Sequence, residues 1–296
     1  MRLRFRCMAC LCALALLLCG AARSEEALRG YTKENGYIYV SLGRYPQSAD
    51  GTVKPIVWRV LSTDEEKVWL LSEYVLFARA MHTSLKEYQN EFKGDFSQTE
   101  LSHYLNSAFT DDAFTAEESD MLLPFEEFGK VFILSTAELN DKSIGLGVTL
   151  KDSSNSKKIH ENPGVRAWGT EWATTDNGYP QETYPNPKAK IRNATDTANI
   201  TVGEKRLFVY SANRGSTSPY WTRTQSGADK RHANCTKADG TIGHIEVGRD
   251  NEGVRPSVWL AAGSFEIVGG SGTLDDPFVL APPEAAESIP EGDAAN

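Results

Sequence analysis

Short apolar runs separated by polar turns predict a chain built mainly from β-strands. Residues 37–42 alternate cleanly and predict the first strand. Residues 55–62 and 67–72 are almost entirely apolar and are joined by four polar residues, so they predict a central hairpin covered on both faces. Further strands are predicted at 131–134, 207–210, 220–224, 265–268 and 277–280, with a second hairpin around Asp239-Gly240.

The last strongly apolar segment before the C-terminal tail spans residues 253–260. As a strand, it places Arg255, Ser257 and Trp259 on one face. Proline cannot donate to a sheet ladder, so we expect this strand at a sheet edge or broken at Pro256. A buried arginine between apolar neighbours needs a carboxylate or carbonyl partner.

Three Ser/Thr-x-x-Glu patterns, at 97–100, 115–118 and 135–138, predict the starts of short helices. Residues 141–206 are polar and too long for an ordinary connection, which indicates an ordered functional loop region or an insertion. These patterns together predict an α+β fold of small antiparallel sheets, two or three short helices and one long loop region.

The N-terminus predicts a secretory signal at residues 1–24, because three early arginines precede an apolar stretch too short to span a bilayer. Cleavage is expected between Ser24 and Glu25. The competing interpretation is a lipoprotein signal lipidated at Cys19, and the large Leu18 before it disfavours that interpretation. After cleavage Cys235 is the one remaining cysteine, so no internal disulfide is expected.

Charge and composition indicate which partners are disfavoured and where the domain begins and ends. The signal holds four arginines and no acid, so its removal changes the net charge from −9 to −13, which disfavours nucleic acid as a partner. We expect one α+β extracytoplasmic domain at 25–281, with a core at 36–262 and a terminal strand segment at 263–281. Residues 282–296 predict a disordered acidic tail without a transmembrane segment.

Five ordered segments carry a resemblance to a family. They are Trp58-Arg59-Val60-Leu61, Leu101 to Asn106, Val131 to Ser135, Tyr220 to Thr224 and Gly253 to Leu260. This order resembles an uncharacterised family of bacterial extracytoplasmic domains over residues 36–262. Ser102, His103 and Thr222 depart from the pattern of that family.

More loosely, the layout is similar to the C-type-lectin-like fold shared with formylglycine-generating enzymes. That resemblance implies two small sheets, two helices and chain ends brought together. The residues that mark the fold would be Trp58, Arg59, Arg223, Arg255 and Trp259. We interpret these arginines as paired with core carboxylates and stacked on rings; the alternative is an anion or sugar pocket.

No complete catalytic or metal set stands out in the sequence. His232 or His244 could activate Cys235 as a nucleophile, and both histidines with Glu246 could contribute to a metal site. Buried or solvated structural roles are the favoured interpretation of all four residues. We therefore assign no catalytic residue, no metal ligand and no cofactor.

Aromatic residues in and near the long loop region are the candidate ligand contacts, because exposed rings on loops stack on sugars or contact partners. They are Trp168, Trp172, Tyr179, Tyr184 and Trp221. For Trp168 and Trp172 the alternative is packing into the core. The resulting hypothesis is a secreted or cell-surface binding module for a glycan or an envelope protein. The alternatives are a degenerate enzyme of the formylglycine-generating type and a purely structural envelope domain.

Overall fold

The computed structural model describes residues 27–28, 36–146, 165–174, 201–202, 205–206, 218–227, 229–237 and 242–283. These residues form a mixed α+β fold with one large and one small sheet. The expected signal, most of the long loop region, the strand at 207–210 and residues 284–296 lie outside the described residues. Among the described helices, none has both the length and the apolar character needed to cross a membrane.

The large sheet is ordered β14-β15-β1-β2-β3-β13-β5, and β6 also pairs with β13. Its strands are β1 (Tyr39–Pro46), β2 (Val53–Thr63), β3 (Lys67–Ser72), β5 (Leu122–Leu123), β6 (Val131–Phe132), β13 (Ser257–Ala261), β14 (Glu266–Gly269) and β15 (Phe278–Ala281). The predicted central hairpin is confirmed, since β2 and β3 pair antiparallel inside the sheet. β1 and β15 pair in parallel, so the first and last of the described strands are neighbours.

The small sheet is ordered β11-β10-β9-β12-β4. Its strands are β4 (Phe77–Ala78), β9 (Tyr220–Gln225), β10 (His232–Thr236), β11 (Ile242–Glu246) and β12 (Gly253–Val254). The predicted second hairpin is confirmed by the antiparallel pairing of β10 with β11. A separate two-stranded pair is formed by β7 (Thr201–Val202) and β8 (Lys205–Arg206).

The closing segment, residues 253–260, passes from one sheet to the other. Of the two predicted alternatives, an edge strand or a break at Pro256, the structure shows the break. β12 lies between β9 and β4, and β13 lies between β3 and the short strands β5 and β6. The chain crosses between the sheets at Arg255 and Pro256. Proline has no amide N–H to donate, and no sheet hydrogen bond is lost here because Pro256 lies outside both strands. Gly253 is required here, because a Cβ would lie 2.4 Å from the carbonyl oxygen of Pro219.

Short helices lie between the strands. They are α1 (Leu85–Asn90), α2 (Glu100–Leu105), α3 (Ala108–Ala113), α4 (Ala116–Asp120), α5 (Thr136–Leu139) and α6 (Glu171–Thr174), with 3-10 turns at Phe96–Gln98 and Glu126–Phe128. The capping boxes that begin α4 and α5 are confirmed. The predicted box from Ser97 to Glu100 is wrong, because Ser97 lies in the 3-10 turn and Thr99 caps α2.

Two apolar clusters form the core, and side-chain alternation along β3 and β13 separates them. Leu70 and Val258 belong to the main cluster, together with the buried leucines of α2. Leu71 belongs to a second cluster, against which Trp69 and Trp259 pack with part of their surface exposed. This second face of the large sheet carries the candidate site.

Candidate binding site

Two tryptophans lie directly opposite each other on adjacent strands. Trp69 of β3 pairs in register with Trp259 of β13, so both side chains leave the sheet on the same face. Their ring centroids are 6.0 Å apart in an edge-on arrangement. Trp69 is anchored by its indole nitrogen, which donates to the Ser257 hydroxyl at 2.8 Å. Both rings therefore project from paired strands of the large sheet.

Phe125 extends this row of rings. Its ring lies 4.6 Å from that of Trp259, and all three rings are partly exposed. The ammonium of Lys67, also partly exposed, lies 3.6 Å from the centroid of the Trp259 ring. A cation over an indole face is a favourable contact that a ligand can replace at small cost. We call Trp69, Phe125 and Trp259 the aromatic ledge.

The buried side of the ledge is supported by an ion pair. Arg223 lies 5.2 Å from the Phe125 ring centroid and forms a two-pronged salt bridge with Glu138. Glu138 also accepts a hydrogen bond from the Ser135 backbone amide, which makes it part of the cap of α5. Arg223 therefore contacts an aromatic ring while paired with a carboxylate, which is the structural role predicted for it from the sequence.

A second arginine, Arg59, forms a buried ion pair with Glu73. Arg59 and Glu73 are almost fully buried, and the guanidinium donates two hydrogen bonds to one carboxylate oxygen at 3.0 and 2.6 Å. The Tyr37 ring lies 4.0 Å from the guanidinium carbon. Burial opposes the charged form of Arg59, and the Glu73 carboxylate outweighs that effect, so the pKa of Arg59 is raised.

Arg255 is held by oxygens of the backbone and of a phenol. Its Nε donates to the Ser72 carbonyl at 2.7 Å, and its Nη1 lies 3.3 Å from the Tyr220 hydroxyl. Burial lowers the pKa of Arg255. Its carbonyl partner agrees with the expectation for a buried arginine in this segment. Trp58, the remaining fold-marking residue, is fully buried and donates to the Leu42 carbonyl.

Among the aromatic residues predicted to contact a ligand, the three that the structure describes do not form one exposed surface. Trp221 is fully buried and donates to the Arg79 carbonyl at 2.8 Å, so it is a core residue and not an exposed platform. Trp168 is only 7 % exposed, because Val75 hydrogen-bonds to its carbonyl and draws this part of the loop region into the core. Trp172 is partly exposed and packs against the main cluster. Tyr179 and Tyr184 lie outside the described residues.

The two histidines lie on one face of the β10–β11 hairpin, and the cysteine lies on the other. His232 and His244 have rings 5.5 Å apart on the same face of the β10–β11 hairpin. Cys235 is buried on the other face, because odd and even positions of a strand point in opposite directions. Neither histidine is therefore placed to activate the thiol. No group of three potential metal ligands occurs in the part of the chain that the structure describes.

Lys67, Trp69 and Phe125 were not singled out from the sequence. A usable signal was present, because Lys67 and Trp69 share one face of the predicted strand at 67–72, while the apolar Val68 and Leu70 share the other. A tryptophan on the less buried face of a strand is typical of a surface that binds a ligand or a partner.

Comparison with known proteins adds no relative: no protein-family model, curated protein or solved structure matches this chain.

Proposed function

We propose that this chain is a non-enzymatic binding module of the cell exterior that holds a glycan on the aromatic ledge. The observation that carries the proposal is the row of partly exposed rings at Trp69, Trp259 and Phe125. Sugars present C–H groups that pack against aromatic faces, and a neighbouring cation can donate to their hydroxyls. Lys67 supplies such a donor beside Trp259.

Preorganisation supports the ledge over the loop as the binding surface. Sites on strands hold their geometry better than sites on loops, and the hydrogen bond from Trp69 to Ser257 fixes one ring. The opposed orientations of His232 and Cys235 favour binding over thiol-dependent catalysis.

The proposal includes a C-type-lectin-like fold and an extracytoplasmic location. The neighbouring first and last strands and the two sheets support the fold hypothesis. The basic and apolar pattern of residues 1–24 supports secretion, and the five ordered segments support kinship with the bacterial extracytoplasmic family.

The test is a binding screen of the purified chain against immobilised polysaccharides from bacterial and host surfaces, with calorimetry on each soluble hit. Trp69→Leu should weaken binding to such a hit about tenfold through lost stacking. Trp172→Leu is the matched control, since it removes another partly exposed indole that lies outside the ledge. Thermal unfolding of both variants reports whether the fold is retained.

Equal affinity of Trp69→Leu and the parent would contradict the ledge as the site. A chain that binds no polysaccharide and captures purified envelope proteins instead would replace the glycan with a protein ligand. A chain that binds neither class would favour the structural envelope domain.

A further inference from the structure

A second concave surface, which we call the acidic cleft, lies between helix α4, the turn after β13 and the end of β15. Its volume is about 800 Å³, and none of its lining residues belongs to the aromatic ledge. Ala281, Pro282 and Pro283 are partly exposed and form an apolar floor with a proline wall, whereas the neighbouring Met121 and Leu280 are buried in the core. The cleft therefore offers apolar contact area that an apolar side chain can cover.

The rim of the cleft is negatively charged. Glu117 and Asp120 are exposed on α4, and none of the described residues that line the cleft is basic. Hydrogen bonds to its own backbone and to Thr115 lower the pKa of Glu117, so its carboxylate is ionised at neutral pH. Glu118 is only partly exposed and accepts from the backbone amides of Thr115 and Gly43. Glu117 and Asp120 are the exposed carboxylates of the rim and can therefore meet a ligand.

The charge of the chain itself points to the kind of occupant. Residues 284–296 directly follow the proline wall and carry four acids and no base, so they do not complement the rim. The whole chain has a net charge of −9. An apolar floor beneath an acidic rim is complementary to a segment that combines apolar and basic side chains.

We propose that the acidic cleft binds a cationic amphipathic peptide segment of a partner protein. An apolar side chain of that segment covers Ala281, Pro282 and Pro283, while its lysine or arginine side chains pair with Glu117 and Asp120. The inference goes beyond the glycan proposal and does not depend on it, because the two surfaces share no residue.

The experiment measures binding of the full chain to a fluorescein-labelled peptide that alternates leucine and lysine. The chain should bind this peptide more weakly as salt rises, because exposed ion pairs are screened. It should bind neither a leucine–glutamate peptide nor a serine–lysine peptide with comparable affinity. The double variant Glu117→Gln/Asp120→Asn should bind the leucine–lysine peptide about tenfold more weakly than the parent does.

The matched control is Glu65→Gln/Glu66→Gln, which removes the same two charges from exposed positions in the β2–β3 turn. It should bind the peptide as the parent does. Equal weakening by both double variants would show attraction to overall charge and overturn the proposal. If the serine–lysine peptide bound as tightly as the leucine–lysine peptide, the apolar floor would have no role and the proposal would be wrong. The proposal would also be wrong if the chain did not bind the leucine–lysine peptide. Both double variants should bind the glycan as the parent does, so a failure of the cleft proposal can be distinguished from a failure of the ledge proposal.

Discussion

Glu73→Gln should lower the free energy of unfolding by about 3 kcal/mol, because it leaves the charge of Arg59 buried without its counter-charge. The two side chains are 2 % and 6 % exposed, and a single carboxylate oxygen accepts both hydrogen bonds of the guanidinium. Glutamine has nearly the same size, so the change tests charge rather than packing.

The magnitude follows from the burial and the geometry. Removing one partner of a buried ion pair costs about 3–5 kcal/mol. The glutamine amide oxygen can still accept a hydrogen bond from Arg59, which favours the lower end of that range. Replacing both partners, as in Arg59→Met/Glu73→Leu, should return the stability to within about 1 kcal/mol of the parent, because the desolvation cost disappears with the charges.

Urea unfolding followed by tryptophan fluorescence measures all three proteins. Glu65→Gln provides the matched control, since it makes the same chemical change at an exposed turn position and should shift stability by less than about 0.5 kcal/mol. If Glu73→Gln cost less than about 1 kcal/mol, the charge of Arg59 would have to be compensated elsewhere and the account of the pair would be wrong.

Three further predictions concern the scaffold. Gly253→Ala should cost about 2 kcal/mol in chemical denaturation, because its Cβ would lie 2.4 Å from the Pro219 carbonyl oxygen and 2.5 Å from a methyl carbon of Val75; an unchanged unfolding midpoint would refute the close approach. Thr115→Ala should cost about 1 kcal/mol through loss of the α4 cap, and a loss within the error of the same assay would contradict it. Hydrogen bonds lower the pKa of Asp229 from 3.8 to about 2, so its stabilising effect should be complete above pH 3.8 and disappear as the pH falls through 2. Carboxyl NMR measures that midpoint, and titration near the ordinary value would contradict the assignment.

The strands could be predicted where local pattern decides structure. The apolar runs at 55–62 and 67–72 leave a central hairpin as the arrangement that buries them. The caps of α4 and α5 follow from hydroxyl and glutamate spacing. The failure at Ser97 has a local cause, because Asp95 caps a 3-10 turn that occupies the residues where the helix was expected.

The route of the closing segment between two sheets could not be predicted, because pairing partners are set by the whole fold. The exposure of each tryptophan could not be predicted for the same reason. Trp58 and Trp69 occupy adjacent paired strands, but Trp58 points into the main cluster and Trp69 onto the second face. Trp168 is buried because residues 167–170 hydrogen-bond to Val75 and Ser218, a contact between segments far apart in the sequence.

The chain has six tryptophans, and each indole N–H group gives its own signal in a two-dimensional NMR spectrum. Such a spectrum therefore tests most directly whether a glycan binds at the aromatic ledge. The labelled chain is titrated with the polysaccharide that binds best in the screen. The ledge predicts shifts for the indole signals of Trp69 and Trp259 and little change for the buried Trp58 and Trp221. Shifts confined to Trp168 and Trp172 would return the site to the loop region and contradict a glycan held on the aromatic ledge.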